Sequence, residues 1–159
     1  MDYFKHKTAI VEESARIGKN TKIWHFVHVR EGAKIGKNCT IGKGVYIGKD
    51  VIIGDNCKIQ NSVNIYQGVE IGNNVFIGPS VVFTNIKYPM SPQENWQNKI
   101  EKTVVENRVS IGANCTILCG IKIGLNSMIG AGTVITKDIP SNKLVYDKKD
   151  KIIKELKDV

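Results

Sequence analysis

Aromatic residues make up only 7% of this chain, and its three histidines all lie at or before position 28. With so few aromatics and no basic motif, a nucleic-acid-binding module is disfavoured. No apolar run is long enough to span a bilayer, and no secretory leader is recognisable, so the expectation is a cytoplasmic, reduced protein with no membrane partner. The four cysteines match no zinc-ligand spacing and no disulfide framework. Proline is scarce too: there are four, and two of them share one stretch with one of the two tryptophans.

What is abundant is a repeat. An aliphatic or Phe residue recurs at every sixth position through Val11, Ile17, Ile23, Val29, Ile35, Ile41, Ile47, Ile53, Ile59, Ile65, Ile71, Ile77 and Phe83. Two places before each anchor stands a small or β-branched residue, such as Ala15, Thr21, Val27, Ala33 or Val45. No helix keeps a six-residue period on one face, and no hairpin meander keeps it this long. The pattern predicts a parallel β-helix of hexapeptide strands, an all-β fold. Anchor and small residue share a strand face and point inward, because side chains alternate with period two. Three hexads close one triangular coil, so residues eighteen apart stack at about 4.8 Å. The glycines that follow many anchors fit corners where positive φ and close backbone approach penalise a Cβ.

The register breaks once. Anchors resume at Val105, Ile111, Ile117, Ile123, Ile129 and Ile135, shifted by four residues modulo six. Residues 84–104 therefore form a loop thrown out of the helix, and a loop of this length is usually functional. Its Trp96 is expected to pin it to a neighbouring subunit. The β-helix domain runs over 1–143. The segment 144–159 leaves the hexad pattern, and Ile152, Ile153 and Leu156 stand at helical spacing. A short helix there would cap the open end of the core, which otherwise exposes its interior and strand edges.

The net charge of +8 is carried largely by lysines at outward corners, among them Lys19, Lys37, Lys43 and Lys49. It reads as a solvated surface, or as attraction for polyanionic small ligands. Cys39, Cys57 and Cys115 occupy the inward slot and are core residues. Cys119 is off that slot, near the surface, as a corner residue or the lining of a ligand groove. His6 lies in the N-terminal lead and is expected to be exposed. His25 sits at a corner and His28 points outward.

Three stretches carry a family resemblance: IWHFVHVREGAKIGKNC, KIQNSVNIYQGVEIGNNVFIGPSVVFTN and VSIGANCTILCGIKIGLNSMIGAGTVITKDIP. Over roughly residues 17–140 the chain resembles hexapeptide-repeat sugar N-acyltransferases. Within them it is most similar to the group that acetylates the 3-amino group of nucleotide-linked 3-amino sugars for bacterial surface polysaccharides. IWHF, KIQN…Y and VFTN are the stretches specific to that group.

The resemblance implies a left-handed β-helix and a homotrimer with active sites between adjacent subunits. Acetyl-CoA would lie beside the later coils and the amino sugar near the loop. Asn85, the Asn of VFTN, would hold the sugar close to its reactive amine. Gln67 stands eighteen residues earlier and so should lie directly beneath it. A related subgroup has Glu at the position of Gln67, His at that of Gln60, and an Asp where this chain has Ile86. With amides and an isoleucine here, no general base is assigned. A neutral amine can attack a thioester unaided, with the oxyanion held by a corner N–H and the proton leaving with the CoA thiolate.

Gln60, Asn64, Tyr66, Thr84, His25 and Tyr88 are the further substrate-binding candidates. For coenzyme A the candidates are the corner residues Gly120, Gly130, Ala131 and Gly132, where small side chains admit pantetheine, together with Lys137 for a phosphate. The stretch LVYDKKDK replaces a Gly-x-Pro-Ala-Arg ending frequent in the resembled enzymes, which leaves the adenine end of that site open. Arg30 and Lys87 are candidates for a sugar carboxylate.

Other readings are weighed on single features. A hydroxyl acceptor would want a histidine base, and the loop has none. An ice-binding face would want regular Thr ladders, whereas the outward positions Arg16, Lys22, His28, Lys34, Thr40 and Tyr46 are mixed. A scaffold leaves VFTN and the loop unexplained. Zinc hydration of the γ-class carbonic anhydrase kind needs histidines from later coils, and none follow His28.

Overall fold

The computed structural model of the chain describes residues 2–91 and 94–147. Over these residues it is a parallel β-helix of about 8 turns with almost no α-helix. Its three faces are sheets of eight, seven and six short strands. The first sheet runs from Phe4–Lys5 to Leu144–Val145, the second from Ile10–Val11 to Val134–Ile135, and the third from Arg16–Ile17 to Lys122–Ile123. Every strand pairing is parallel, as in Lys22↔Thr40, Asn64↔Val82 and Lys34↔Ile52.

The hexad arithmetic explains the core. Ile23, Ile41, Ile59, Ile77, Ile111 and Ile129 form one fully buried column, and the anchors of the other two faces form two more. Val11 and Ile17 are only half-buried, because the first coil has no neighbour beneath it. In the small inward slot most hydroxyls and thiols donate to a corner carbonyl of the next coil, whereas the Thr103 and Thr133 hydroxyls are buried with no partner among the described residues. Thr21 Oγ1 donates to the Gly36 carbonyl at 2.7 Å, and the Cys39, Cys57 and Cys115 thiols donate to the carbonyls of Gly54, Gly72 and Gly130 at 3.1 Å each. The cysteines of the inward slot are thus buried in the core, as the pattern predicted.

Of the two causes expected for the glycines after the anchors, only close approach applies. None of Gly18, Gly36, Gly42, Gly48, Gly54, Gly72 and Gly78 has positive φ. They are required by close approach alone: a Cβ on Gly54 would collide with Asn73 Oδ1 and meet the Gly72 carbonyl oxygen at 2.7 Å. The left-handed corner position lies further along each turn and is filled mainly by Asn, as at Asn20, Asn38 and Asn56 (φ 56–60°). Their amides form a ladder, Asn20 Nδ2 to Asn38 Oδ1 and Asn38 Nδ2 to Asn56 Oδ1, both at 3.2 Å.

Register across the insertion is Phe76↔Ser110 and Val69↔Thr103, a spacing of thirty-four instead of eighteen. The sixteen extra residues, four modulo six, account for the shift in the anchor series. The loop leaves after strand Val82–Phe83 and ends at Thr103–Val105, close to the expected 84–104. The last coil is shorter, with Met128↔Leu144 only sixteen residues apart. Leu144–Val145 is therefore a strand of the first sheet rather than the start of a cap. The helix expected beyond it falls largely on 148–159, outside the described residues.

Candidate active site

The edge between the second and third sheets gathers much of the expected site. Glu31, Lys49, Gln67 and Asn85 succeed one another at eighteen-residue intervals and climb this edge coil by coil. With Arg30, Tyr46, Tyr66 and Trp96 they line a cleft of about 530 Å³. Gly48 lets the coils approach here, since a Cβ on it would lie 2.7 Å from the Gln67 amide nitrogen. Tyr46 and Tyr66 form an aromatic wall, their ring centres 5.5 Å apart, and His28 meets Tyr46 edge-on at 5.8 Å.

Charge in this cleft is nearly balanced. Arg30 Nε lies 2.8 Å from Glu31 Oε2 and 3.0 Å from Glu12 Oε1, and its Nη1 donates to the Tyr46 hydroxyl at 3.4 Å. Arg30 is thus engaged by two carboxylates and is not a cation held free for a sugar carboxylate. The His28 ring, 2.8 Å from Glu12, and then the hydrogen bonds from Glu31 hold the Glu12 carboxyl below the usual carboxylate range. Lys49 is looser, 3.9 Å from Glu31.

One coil further up the same edge a second cleft of about 320 Å³ is lined by Thr84, Glu101, Leu118, Cys119, Gly120 and Lys137. Ile86, Pro89 and Ile121 add apolar surface to it. The Cys119 amide donates to Thr84 Oγ1 at 3.0 Å. Cys119 is 6% exposed, so it is buried rather than superficial, yet it does line this groove. The loop closes between the two clefts: Ile86 and Ile100 form an antiparallel bridge, and the Glu101 amide donates to the Asn85 carbonyl at 3.0 Å. This closure turns the short helical segment Trp96–Lys99 back toward the first cleft, so within the chain Trp96 packs in its wall.

The other candidates lie elsewhere on the chain. His25 and Gln60 occupy the edge between the first and second sheets, as do Gly130, Ala131 and Gly132. Asn64 lies on the second sheet between the two edges, in register with Tyr46 and Val82. His6 is half-buried rather than exposed, because its ring stacks on His25 with centres 3.5 Å apart. Tyr88 stands on the outer face of the loop, 75% exposed, with Lys87 Nζ 5.8 Å from its ring centre. Among the described residues no cluster of His, Cys, Asp or Glu could hold a metal, and no helix is long and apolar enough to cross a membrane.

Sequence reasoning did not assign Glu31, Tyr46, Lys49 or Glu101 to the site. Three were within reach: stepping down from Asn85 by eighteen gives Gln67, Lys49 and Glu31, and the same step from Asn64 gives Tyr46. Glu101 required the path of the loop.

The family model described as "Bacterial transferase hexapeptide (six repeats)" matches residues 14–49 and 50–85. A second, "Hexapeptide repeat of succinyl-transferase", matches 32–67 and 102–137, so that the two stop and resume on either side of the loop. Each of the two models covers 72 of the 159 residues, and together they place the hexapeptide repeat over 14–85 and 102–137. The fold is that of the left-handed parallel β-helix of hexapeptide-repeat proteins.

Among curated relatives, the galactoside O-acetyltransferase of Lactococcus lactis is 38% identical over 74 residues, covering 45% of this chain and 36% of the relative. The 2,3,4,5-tetrahydropyridine-2,6-dicarboxylate N-acetyltransferase of Staphylococcus aureus is 29% identical over 85 residues, covering 54% of this chain and 32% of the relative. These matches span about a third of each relative's length. A hexapeptide-repeat acetyltransferase from Vibrio cholerae superposes with TM-score 0.53 at 26% identity, covering 90% of this chain and 74% of that one. The perosamine N-acetyltransferase of Caulobacter crescentus, in complex with CoA and GDP-perosamine, has TM-score 0.55 at 21% identity, covering 91% and 55%. That likeness is one of fold.

Proposed function

We propose that this hexapeptide-repeat protein is an acetyl-CoA-dependent N-acetyltransferase. Its acceptor is the 3-amino group of a dTDP- or UDP-linked 3-amino sugar destined for surface polysaccharide, and its working form is a homotrimer in the cytoplasm. One observation carries the reading: Asn85, stacked over Gln67, stands where a polar, aromatic-walled cleft gives way to a less polar one on a single edge.

The first cleft suits a nucleotide sugar, with Tyr66 and Trp96 for a base or ring face and Lys49 for a phosphate. The second suits the acetylated end of coenzyme A, since Leu118, Cys119 and Gly120 offer a narrow, low-polarity wall and Lys137 a phosphate contact. The amine, oriented by Asn85, attacks the thioester carbonyl, and the oxyanion is met by the N–H of Gly120 at its left-handed corner (φ +76°). The bond to sulfur breaks and the nitrogen's proton ends on the CoA thiol. In a trimer the opposite edge, with His25, Gln60 and Gly130 to Gly132, would face the neighbour's clefts and complete them. The named O- and N-acetyltransferases among the relatives support acyl transfer from a thioester, and the CoA-bound perosamine enzyme supports an amino-sugar acceptor.

The test is thiol release from acetyl-CoA against dTDP- and UDP-linked 3-amino and 4-amino sugars and their hydroxyl counterparts. Turnover of a 3-amino sugar, lowered about 10- to 100-fold in Asn85→Ala, is expected. Turnover confined to hydroxyl or 4-amino acceptors would overturn the acceptor assignment, and a trimer inert to every member would overturn the reading.

A further inference from the structure

Glu101 has no place in the family motifs quoted above, yet it occupies the junction of the two clefts. Its backbone is fixed there by the hydrogen bond to the Asn85 carbonyl. Its side chain crosses to the next coil and rests against Gly120, where an added Cβ would collide with Oε2. Glycine at 120 thus both takes the left-handed corner and admits the carboxylate. Among the described residues no Lys or Arg stands within ion-pair distance of Glu101. The charged groups facing it are Lys87 and Lys99 of the loop and Lys137 and Asp138 of the coil above, with the Cys119 thiol beside them. A half-buried carboxylate with no cation at ion-pair distance, beside the apolar wall of Ile86, Pro89, Leu118 and Ile121, suits a ligand bearing an N–H donor.

We propose that Glu101 is the general base of the transfer. The inference rests on the amine-acetylation reading above. As the neutral amine forms its bond to the thioester carbon, the nitrogen becomes strongly acidic and one N–H proton passes to the Glu101 carboxylate. The tetrahedral intermediate then expels CoA as the thiolate, and the protonated Glu101 returns the proton to that sulfur. The enzyme ends unchanged, with amide and free CoA thiol as products. This supplies the base that the amides at Gln60 and Gln67 and the apolar Ile86 cannot provide.

The experiment compares wild type, Glu101→Gln and Glu101→Ala in the thiol-release assay, with melting temperature and acetyl-CoA binding measured in parallel. Glu101→Gln keeps the shape of the side chain and should lose about 100-fold in kcat, with the KM for acetyl-CoA within about twofold of wild type. Added formate should restore Glu101→Ala by about tenfold and leave wild type unchanged, a response that a packing role would not give. A Glu101→Gln enzyme with wild-type kcat, or a folded Glu101→Ala indifferent to formate, overturns this assignment while leaving the N-acetyltransferase reading in place. A wild-type protein that transfers acetyl to no amine overturns both.

Discussion

The Thr84 hydroxyl accepts the amide of Cys119 at 3.0 Å, joining two coils across the inserted loop. Elsewhere on this edge the coils are held mainly by backbone pairs. Here a side chain takes over, just where the chain departs. Replacing Thr84 by Val keeps the shape and leaves a buried N–H without its acceptor, a cost of about 1–3 kcal/mol. For a chain of this size that corresponds to a fall in melting temperature of roughly 2–4 °C per kcal/mol. Calorimetry on the variant checks it, and an unchanged transition would show that the hydroxyl does not hold the coil.

Gly54 and Gly44 separate the two causes of corner glycine. Gly44 has φ +67°, and an added Cβ would find its nearest neighbour at 3.9 Å, so Gly44→Ala costs about 1 kcal/mol of left-handed strain. Gly54 has no such φ, but its Cβ would drive into the Asn73 side chain and the Gly72 backbone. Overpacking of that kind costs about 1–3 kcal/mol. Thermal melts should rank Gly54→Ala below Gly44→Ala, and the reverse order would contradict the close-approach account.

All four cysteines are buried. The hydrogen bond it shares with Cys39, and then burial, push the Cys57 thiol well above its ordinary range. The same contact holds the Cys39 thiol below its ordinary value, at about 7. It is therefore burial that should deny a disulfide reagent any fast thiol in the native protein, while leaving four after denaturation. A rapidly reacting Cys39, Cys57 or Cys115 in the native state would contradict the packing of the inward slot. The same silence keeps the CoA-release assay free of background.

Glu12 gives a pH dependence with a definite sign. Its carboxyl is held below the ordinary value, first by His28 and then by Glu31. Its contribution is therefore complete above the ordinary carboxylate range and is lost as pH falls through the lowered value. Between about pH 5 and 3 the melting temperature of wild type should fall more steeply than that of Glu12→Gln. Parallel curves would mean that the contact with His28 and Arg30 contributes nothing to the folded state.

How much of this was legible beforehand follows from what the repeat can encode. The anchors and the small slot are periodic, so they disclosed the coil, the buried cysteines and the phase shift left by the loop. The stack of Gln67 beneath Asn85 came from the same arithmetic. The reason for the anchor glycines did not, because close approach and positive φ select the same residue and leave the same letter. Leu144–Val145 was hidden by a final coil two residues short of the period. Glu101 was hidden because an aperiodic loop carries no register, and only its hydrogen bond to the Asn85 carbonyl sets it over Gly120.

Asn85 and Gln67 line one cleft from successive coils, so their contributions to catalysis should not be independent. If Asn85 orients the amine and Gln67 holds the same sugar from below, either truncation lets the substrate drift from its attack geometry. Misplacement of about 1 Å can cost on the order of 100-fold, so Asn85→Ala and Gln67→Ala should each lose between about 10- and 100-fold in kcat/KM. Once one contact has been lost, the other has less alignment left to protect. The double variant should therefore fall short of the product of the two losses, with a coupling of about 1 kcal/mol or more. A cycle built from the four kcat/KM values measures it. Strict multiplication of the two losses would show that the residues touch different parts of the substrate, and would place Gln67 outside the orienting pair.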